Sequence, residues 1–353
     1  MTQEKIDHPT HLPEEKISEV FGYLDEKSQS SLALTNKMFG HSVFQQDRIK
    51  TKLLHYMAKG KFEKLVMLLA IRPDLRLDIR PFVEKALSKL AGFAEQDNME
   101  IILKIYPEFF YTYAPLKDIS NIYPIINKKG CKGITVFQHA VWAGDVRYMC
   151  NMMLDCLPKN EDGEKIRVEL LRQYKELMAY GVVYDLESKR HVEKQFSLQS
   201  LLGGLSQYVT NYEGWTWEER ELHWCKDVGL LQPLLTAHFR HHYCDPEESF
   251  WNTPSFTKAK LIRSLEFYNY VEGKKQLWDD SLGGLGSNFG IVGGAVGAGG
   301  VAERGGEERQ CDLRALTALC EVRTKTDLPV LIKRLQSPVQ SPEEDREHLC
   351  VIS

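Results

Sequence analysis

A mainly α-helical chain is what the sequence predicts, and three observations predict it. Apolar residues recur at helical spacing along most of the 353 residues. A turn residue followed by a helical apolar set occurs three times in the first half, and a leucine-lined helical hairpin lies near the end. Hydrophobic residues are 43% and charged residues 27% of the chain, a balance that suits a folded globular protein with room for two or three small domains. The formal charge of -4 gives no general attraction to nucleic acid, which is not an expected partner. Eight cysteines without C-x-x-C pairs suit reduced thiols better than a disulfide framework.

Residues 8–50 read as a compact helical unit. Leu12-Pro13 opens it, because proline in a first turn loses no needed donor. Ile17, Val20, Phe21 and Leu24 then fall at i, i+3, i+4 and i+7, one stripe of a short helix. Asp25 can cap a second helix bearing Leu32 and Leu34, and Phe39 closes the unit. Residues 1–10 are polar and lack the apolar core of a secretory signal.

The three turn-and-helix sets occupy residues 51–158. Gly60 precedes Phe62, Leu65, Leu68 and Leu69; Asp97 precedes Met99, Ile101, Ile102 and Ile105; Gly144 precedes Val146, Tyr148, Met149, Met152 and Met153. Such a series predicts stacked helix pairs with a binding face. Residues 159–280 carry further stripes, among them Leu170, Leu171, Tyr174, Leu177 and then Leu198, Leu201, Leu202, Leu205, Tyr208. Residues 281–310 are glycine-rich and are expected as a flexible or long surface loop. The uncharged stretch 281–302 holds too few large apolar side chains for a membrane span. In residues 311–336, Leu313, Leu316 and Leu319 face Leu328, Leu331, Ile332 and Leu335 as a hairpin. Residues 337–353 form a Pro/Ser/acidic tail expected to stay solvated.

The tail ends Cys350-Val351-Ile352-Ser353, which has the form of a prenylation signal. A prenyltransferase needs a thiolate four residues from a free carboxylate, two aliphatic residues and a small last residue; serine there favours a farnesyl group. One prenyl chain holds a protein to a membrane only reversibly. Glu343, Glu344 and Asp345 upstream are acidic, so the second signal is expected to be another acylated cysteine or a protein partner.

Leu12-Pro13-Glu14-Glu15, Val20-Phe21, Tyr23-Leu24-Asp25, Leu32, Leu34, Lys37 and Phe39 together resemble an F-box. The resemblance implies a three-helix hook that docks on the Skp adaptor, and through it on a cullin-RING ubiquitin ligase. Leu12, Pro13, Val20, Phe21, Leu24 and Leu32 would bury against that adaptor. The sequence departs from the family where Ser28-Gln29 replaces an acidic-leucine pair and Thr35-Asn36 a valine-cysteine pair. Residues 133–145, from Gly133-Ile134-Thr135-Val136 to Ala143-Gly144-Asp145, resemble the opening of an ankyrin repeat. Thr135 and Gln138 would then pin the turn, and Ala140 would let helices pack closely. The combination is similar to ankyrin/F-box effectors of the Legionella type, which implies delivery into a eukaryotic host cell and the cytosolic face of a host membrane.

Weaker constellations remain. His223, Cys225, His238, His241, His242 and Cys244 include half of a zinc-finger spacing without its C-x-x-C half, so surface histidines on a helical core are expected, and no metal or other cofactor. Gly297-Ala298-Gly299-Gly300-Val301-Ala302 matches a dinucleotide fingerprint only on paper, since no strand–helix–strand alternation surrounds it. Arg263, Ser264, Glu266 and Tyr268 suit a polar pocket or a solvated helix face. The leading reading is a substrate-recruiting subunit of a host cullin-RING ligase, with an unknown host protein as target. The alternative is an enzyme whose site lies within residues 161–335, and convergence of His223, Cys225, Arg263 and Glu266 would favour it.

Overall fold

The computed structural model describes residues 64, 76–111, 113–114, 126–127, 134–186, 189–278, 287–293, 297–300 and 306–339. The F-box-like segment, the set after Gly60 and the tail with Cys350 lie outside the described residues. The chain divides into two compact units, residues 1–83 and 84–353, and the second holds nearly all of the described residues. Its helices confirm the mainly α reading.

Helix α1 (Arg76–Phe93) turns at Ala94, whose φ of 56° is left-handed, into α2 (Gln96–Ile105). After strands β1 (Tyr113–Ala114) and β2 (Ile126–Asn127) comes β3 (Ile134–Thr135), which leads directly into α3 (Val136–Ala143). The start of α3 follows from two side chains. Thr135 accepts from the Gln138 backbone amide at 3.0 Å, and the Gln138 side chain accepts from the Thr135 amide at 3.0 Å. This capping box satisfies two donors that a helix start leaves open. Gly144 ends α3 at φ 91°, and a π-type turn, Val146–Cys150, feeds α4 (Asn151–Asp155).

Helix α5 (Glu161–Tyr180) begins where the Asn160 side chain accepts from the amides of Asp162 and Gly163. Ile166, Leu170, Gln173 and Leu177 are its buried stripe, at the spacing of one helical face. The stripe is shifted from the expected Leu171 and Tyr174 because the Thr135 hydroxyl and the Gln138 amide reach Gln173, drawing that face against α3. Strands β4 (Val182–Leu186) and β5 (Lys189–Glu193) form a hairpin that β2 extends.

In the C-terminal part, α6 (Gln199–Asn211) buries Leu201, Leu205 and Tyr208 together with Leu198 just before it. It packs along α9 (Gly306–Val322), whose Ala315, Leu316 and Leu319 share that core. Thr216 and Glu219 form a second capping box at the start of α7 (Trp217–His223). A π-type turn Trp224–Gly229 follows, then α8 (Ala237–Tyr243), a helix with every residue buried. Strands β6 (Glu266–Asn269) and β7 (Lys274–Leu277) pair antiparallel in a four-stranded sheet ordered β7-β6-β9-β8. A π-type turn Arg323–Asp327 joins α9 to α10 (Leu328–Gln336), which buries Leu328, Leu331 and Leu335 as the leucine pattern predicts.

The glycine-rich stretch is not a free loop. It supplies β8 (Phe289–Val292) and β9 (Gly297–Gly300), so the loop expected over 281–310 is corrected to include two paired strands. The helical reading of 159–280 likewise omitted the hairpins β4–β5 and β6–β7. Glycine is needed here for space. A Cβ on Gly290 would lie 2.7 Å from the Arg309 guanidinium, and one on Gly293 only 1.9 Å from the Phe250 ring. Arg309 is fully buried, with its guanidinium 4.3 Å from the Trp224 ring centre and donating to the Ile291 carbonyl and to Asp312. Asp312 in turn accepts from the Gly293 amide at 3.0 Å, which fastens the end of β8 to α9.

Two adjacent glycines of α6 provide a test. A Cβ on Gly204 would meet the Asp227 carbonyl at 2.2 Å, whereas one on Gly203 meets nothing within 4 Å. Gly204→Ala is expected to cost about 1–3 kcal/mol through overpacking. Gly203→Ala should stabilise by about 0.5–1 kcal/mol through helix propensity. Urea unfolding of both variants measures the difference, and equal effects would contradict this packing.

Candidate functional site

A group of buried polar side chains lies where α8 meets the turn after α3. Asp145 is placed there by its role as an N-cap: its Oδ1 accepts from the Met149 amide at 3.1 Å. Arg263, from the segment before β6, donates to both Asp145 oxygens at 2.8 and 3.3 Å and to Gln96 Oε1 at 3.0 Å. The two-pronged contact matches guanidinium to carboxylate geometry. Burial opposes charge on Asp145, but Arg263 and the neighbouring His238 hold its carboxyl well below the usual carboxylate range.

Three histidines of α8 surround this pair. His238 Nδ1 lies 3.7 Å from Asp145 Oδ1, and its ring meets that of His242 edge-on at 4.8 Å. Both rings also stand near Tyr148, at 6.2 and 6.3 Å. His242 Nδ1 is 3.9 Å from Glu248 Oε2, and its ring packs against Phe256 at 5.1 Å. Phe256 holds a left-handed φ of 54°, unusual for a bulky residue and sustained here by its buried contacts. His241 places its two ring nitrogens 3.1 Å from the Ser264 carbonyl and 3.2 Å from the Phe93 carbonyl. A neutral ring donates to only one of them.

Burial pushes His238 and His241 down to about 4, with Arg263 adding to the effect, and lowers His242 well below its ordinary value. His139 on α3 is likewise pushed to about 4 by burial. These rings are therefore neutral near pH 7. Thr236, at the start of α8, completes the contact by donating to the Ala143 carbonyl at 2.7 Å. The arrangement binds the helical array to the C-terminal part through charge-assisted and neutral hydrogen bonds.

The expected surface histidines are thus corrected: His238, His241 and His242 are interior, because α8 is enclosed on all sides. Among the described residues no group of three His, Cys, Asp or Glu side chains is placed to hold a metal ion. His223 lies apart from them, contacting Asp227 at 3.2 Å and the Gly204 carbonyl at 2.9 Å, with its ring near Trp215. Cys225 is partly exposed, Cys244 is buried, and Glu266 is an exposed strand residue. Ser264 Oγ accepts from the Glu266 amide, and Tyr268 stands edge-on to Tyr270. Arg263 belongs to the Asp145 cluster, so His223, Cys225, Arg263 and Glu266 do not converge. Sequence reasoning missed Asp145 and Gln96 as partners of Arg263, and His139 as a buried neighbour of Asp145. The separations in the chain from Arg263, 118 residues for Asp145 and 167 for Gln96, carry no local signal. The adaptor-binding set Leu12, Pro13, Val20, Phe21, Leu24 and Leu32, and Cys350, lie outside the described residues.

Residues 200–335 match the family model described as the CBUA0006 C-terminal domain. The chain is 33% identical over 262 residues to the uncharacterized protein CBUA0006 of Coxiella burnetii (strain RSA 493 / Nine Mile phase I), an alignment covering 69% of this chain and 73% of the relative. No solved structure matches the chain. The matched domain contains Arg263 and nearly all of α6 to α10, while Asp145 lies before it, so the ion pair crosses the domain's edge.

Removing one partner of that pair leaves a buried charge. Arg263→Gln is expected to cost about 3–5 kcal/mol. The double variant Asp145→Asn, Arg263→Gln should lose clearly less than the sum of the single changes. A double-mutant cycle by urea unfolding checks this, and additivity within about 0.5 kcal/mol would show that the two residues are not coupled.

Proposed function

We propose that the chain, which belongs to the CBUA0006 family, is a recruiting subunit that borrows a host cullin-RING ubiquitin ligase. The observation that carries the reading is the F-box-like segment running from Leu12-Pro13 to Phe39. In this role the protein makes no bonds itself. It holds a host protein near the ligase's ubiquitin-charged enzyme, and proximity raises the effective concentration of the acceptor lysine.

Two features of the body support the reading. The buried pair Asp145 and Arg263 joins elements, which keeps the body in one arrangement for presenting a target. Large apolar side chains stand exposed on it, among them Trp217, Leu222 and Trp251, and are available to contact a target. Membrane recruitment through a farnesyl group on Cys350 is part of the same proposal and requires Ser353 to carry the free carboxylate. The host setting is part of the proposal and comes from the resemblance to effectors of the Legionella type; what the comparison adds is a bacterial relative, from Coxiella.

The test is co-purification from eukaryotic lysate. Wild type is expected to retain the Skp adaptor and cullin, and the Leu12→Ala, Pro13→Ala variant to lose them at least tenfold. Equal recovery with both, or with neither, overturns the ligase reading. In eukaryotic cells fed a tagged isoprenoid, wild type should be labelled and Cys350→Ser should not; an unlabelled wild type removes the anchor from the account.

A further inference from the structure

We propose that the contact between α8 and the Asp145 turn is an acid-sensitive joint, which opens when His238 and His242 become charged and frees the array from the C-terminal part. The geometry leaves no room for those charges. Asp145 is already engaged by the Arg263 guanidinium and the Met149 amide. Among the described residues the other carboxylate within 4 Å of either ring is that of Glu248, 3.9 Å from His242.

Every element packed around the two rings adds to the balance. The turn after α3 brings Asp145 and Tyr148, and the segment before β6 brings Arg263. The π-type turn after α9 brings Arg323, and α8 itself brings His241. Cations therefore exceed the carboxylates once both histidines charge. The rings are 4.8 Å apart, so charging one disfavours charging the other while the joint stays closed.

His241 is different. Its two carbonyl neighbours would both accept from a charged ring and offset part of the cost of charging it, although burial still holds it at about 4. At His238 and His242 neither Nδ1 has a hydrogen-bond partner among the described residues: the carboxylates they face, Asp145 at 3.7 Å and Glu248 at 3.9 Å, lie beyond hydrogen-bond reach.

The sign follows from linkage. A histidine held neutral by burial stabilises the closed form above its ordinary value near 6.5, and that stability is lost as pH falls toward its value in the closed form, about 4 for His238. In this window the opening constant rises about tenfold per pH unit for each histidine that takes up a proton.

Hydrogen exchange on the wild-type protein, corrected for the intrinsic rate, tests the joint directly. Between pH 7 and pH 5 the amides of α3, the 146–150 turn and α8 should lose protection by at least tenfold, while α6 and α9 keep theirs. Unchanged protection at the joint, or equal loss throughout, overturns the proposal. The variant His238→Gln, His242→Gln should lose clearly less protection between pH 7 and pH 5 than wild type, the remainder coming from His139 and His241, and a full wild-type response in it would also overturn the proposal. If that variant does not fold, the wild-type comparison decides alone. Neither readout involves the ligase, so this proposal and the recruiting role fail independently.

Discussion

One carboxylate, Asp145, organises the middle of this protein. It caps the turn after α3, receives both prongs of Arg263 and faces His238 on α8. Three segments far apart in the chain therefore meet at a single group that burial would otherwise force to take a proton. Burying an ion pair is weakly stabilising at best, but breaking one is costly, so its main effect is to specify which surfaces join. Thr236 to Ala143 and Gln96 to Arg263 add further bonds to the same contact, and the apolar contacts of Trp142 with Phe196 lie beside it.

The second buried pair, Arg309 with Asp312, works within the C-terminal domain. It lies on α9 and ties down β8 through the Ile291 carbonyl and the Gly293 amide. Glycine at 290 and 293 lets the strand approach Arg309 and Phe250 closely enough for those bonds. The glycine-rich sequence is thus the complement of a crowded wall of Trp224, Arg309 and Phe250. The two pairs differ in reach: Arg309 and Asp312 are three residues apart on one helix, while Arg263 and Asp145 are 118 apart and span the boundary of the family domain.

What the sequence made legible was local. The turn pinned by Thr135 and Gln138 and the leucine faces of α6, α9 and α10 follow from side chains within one or two turns of each other. The β6–β9 sheet was missed because its strands are four residues long and one partner is almost all glycine, which erases the alternating pattern. The histidines of α8 were read as surface residues because polarity usually marks the exterior. They are interior because the helix is seven residues long and enclosed on all sides. Asp145 was legible as part of a repeat-like turn, but its pairing with Arg263 depends on tertiary contact that spacing does not encode.

The proposed recruiting role would ask the body to present a target in a fixed position, and that requires α3 and the C-terminal domain to move as one. Hydrogen exchange near pH 7 reads that unity. The slowest amides of α3 and of α8 should exchange with the same opening free energy, through one cooperative unfolding. If α3 opens at a free energy more than about 2 kcal/mol below that of α8, the Asp145–Arg263 contact does not unite them, and the account is contradicted.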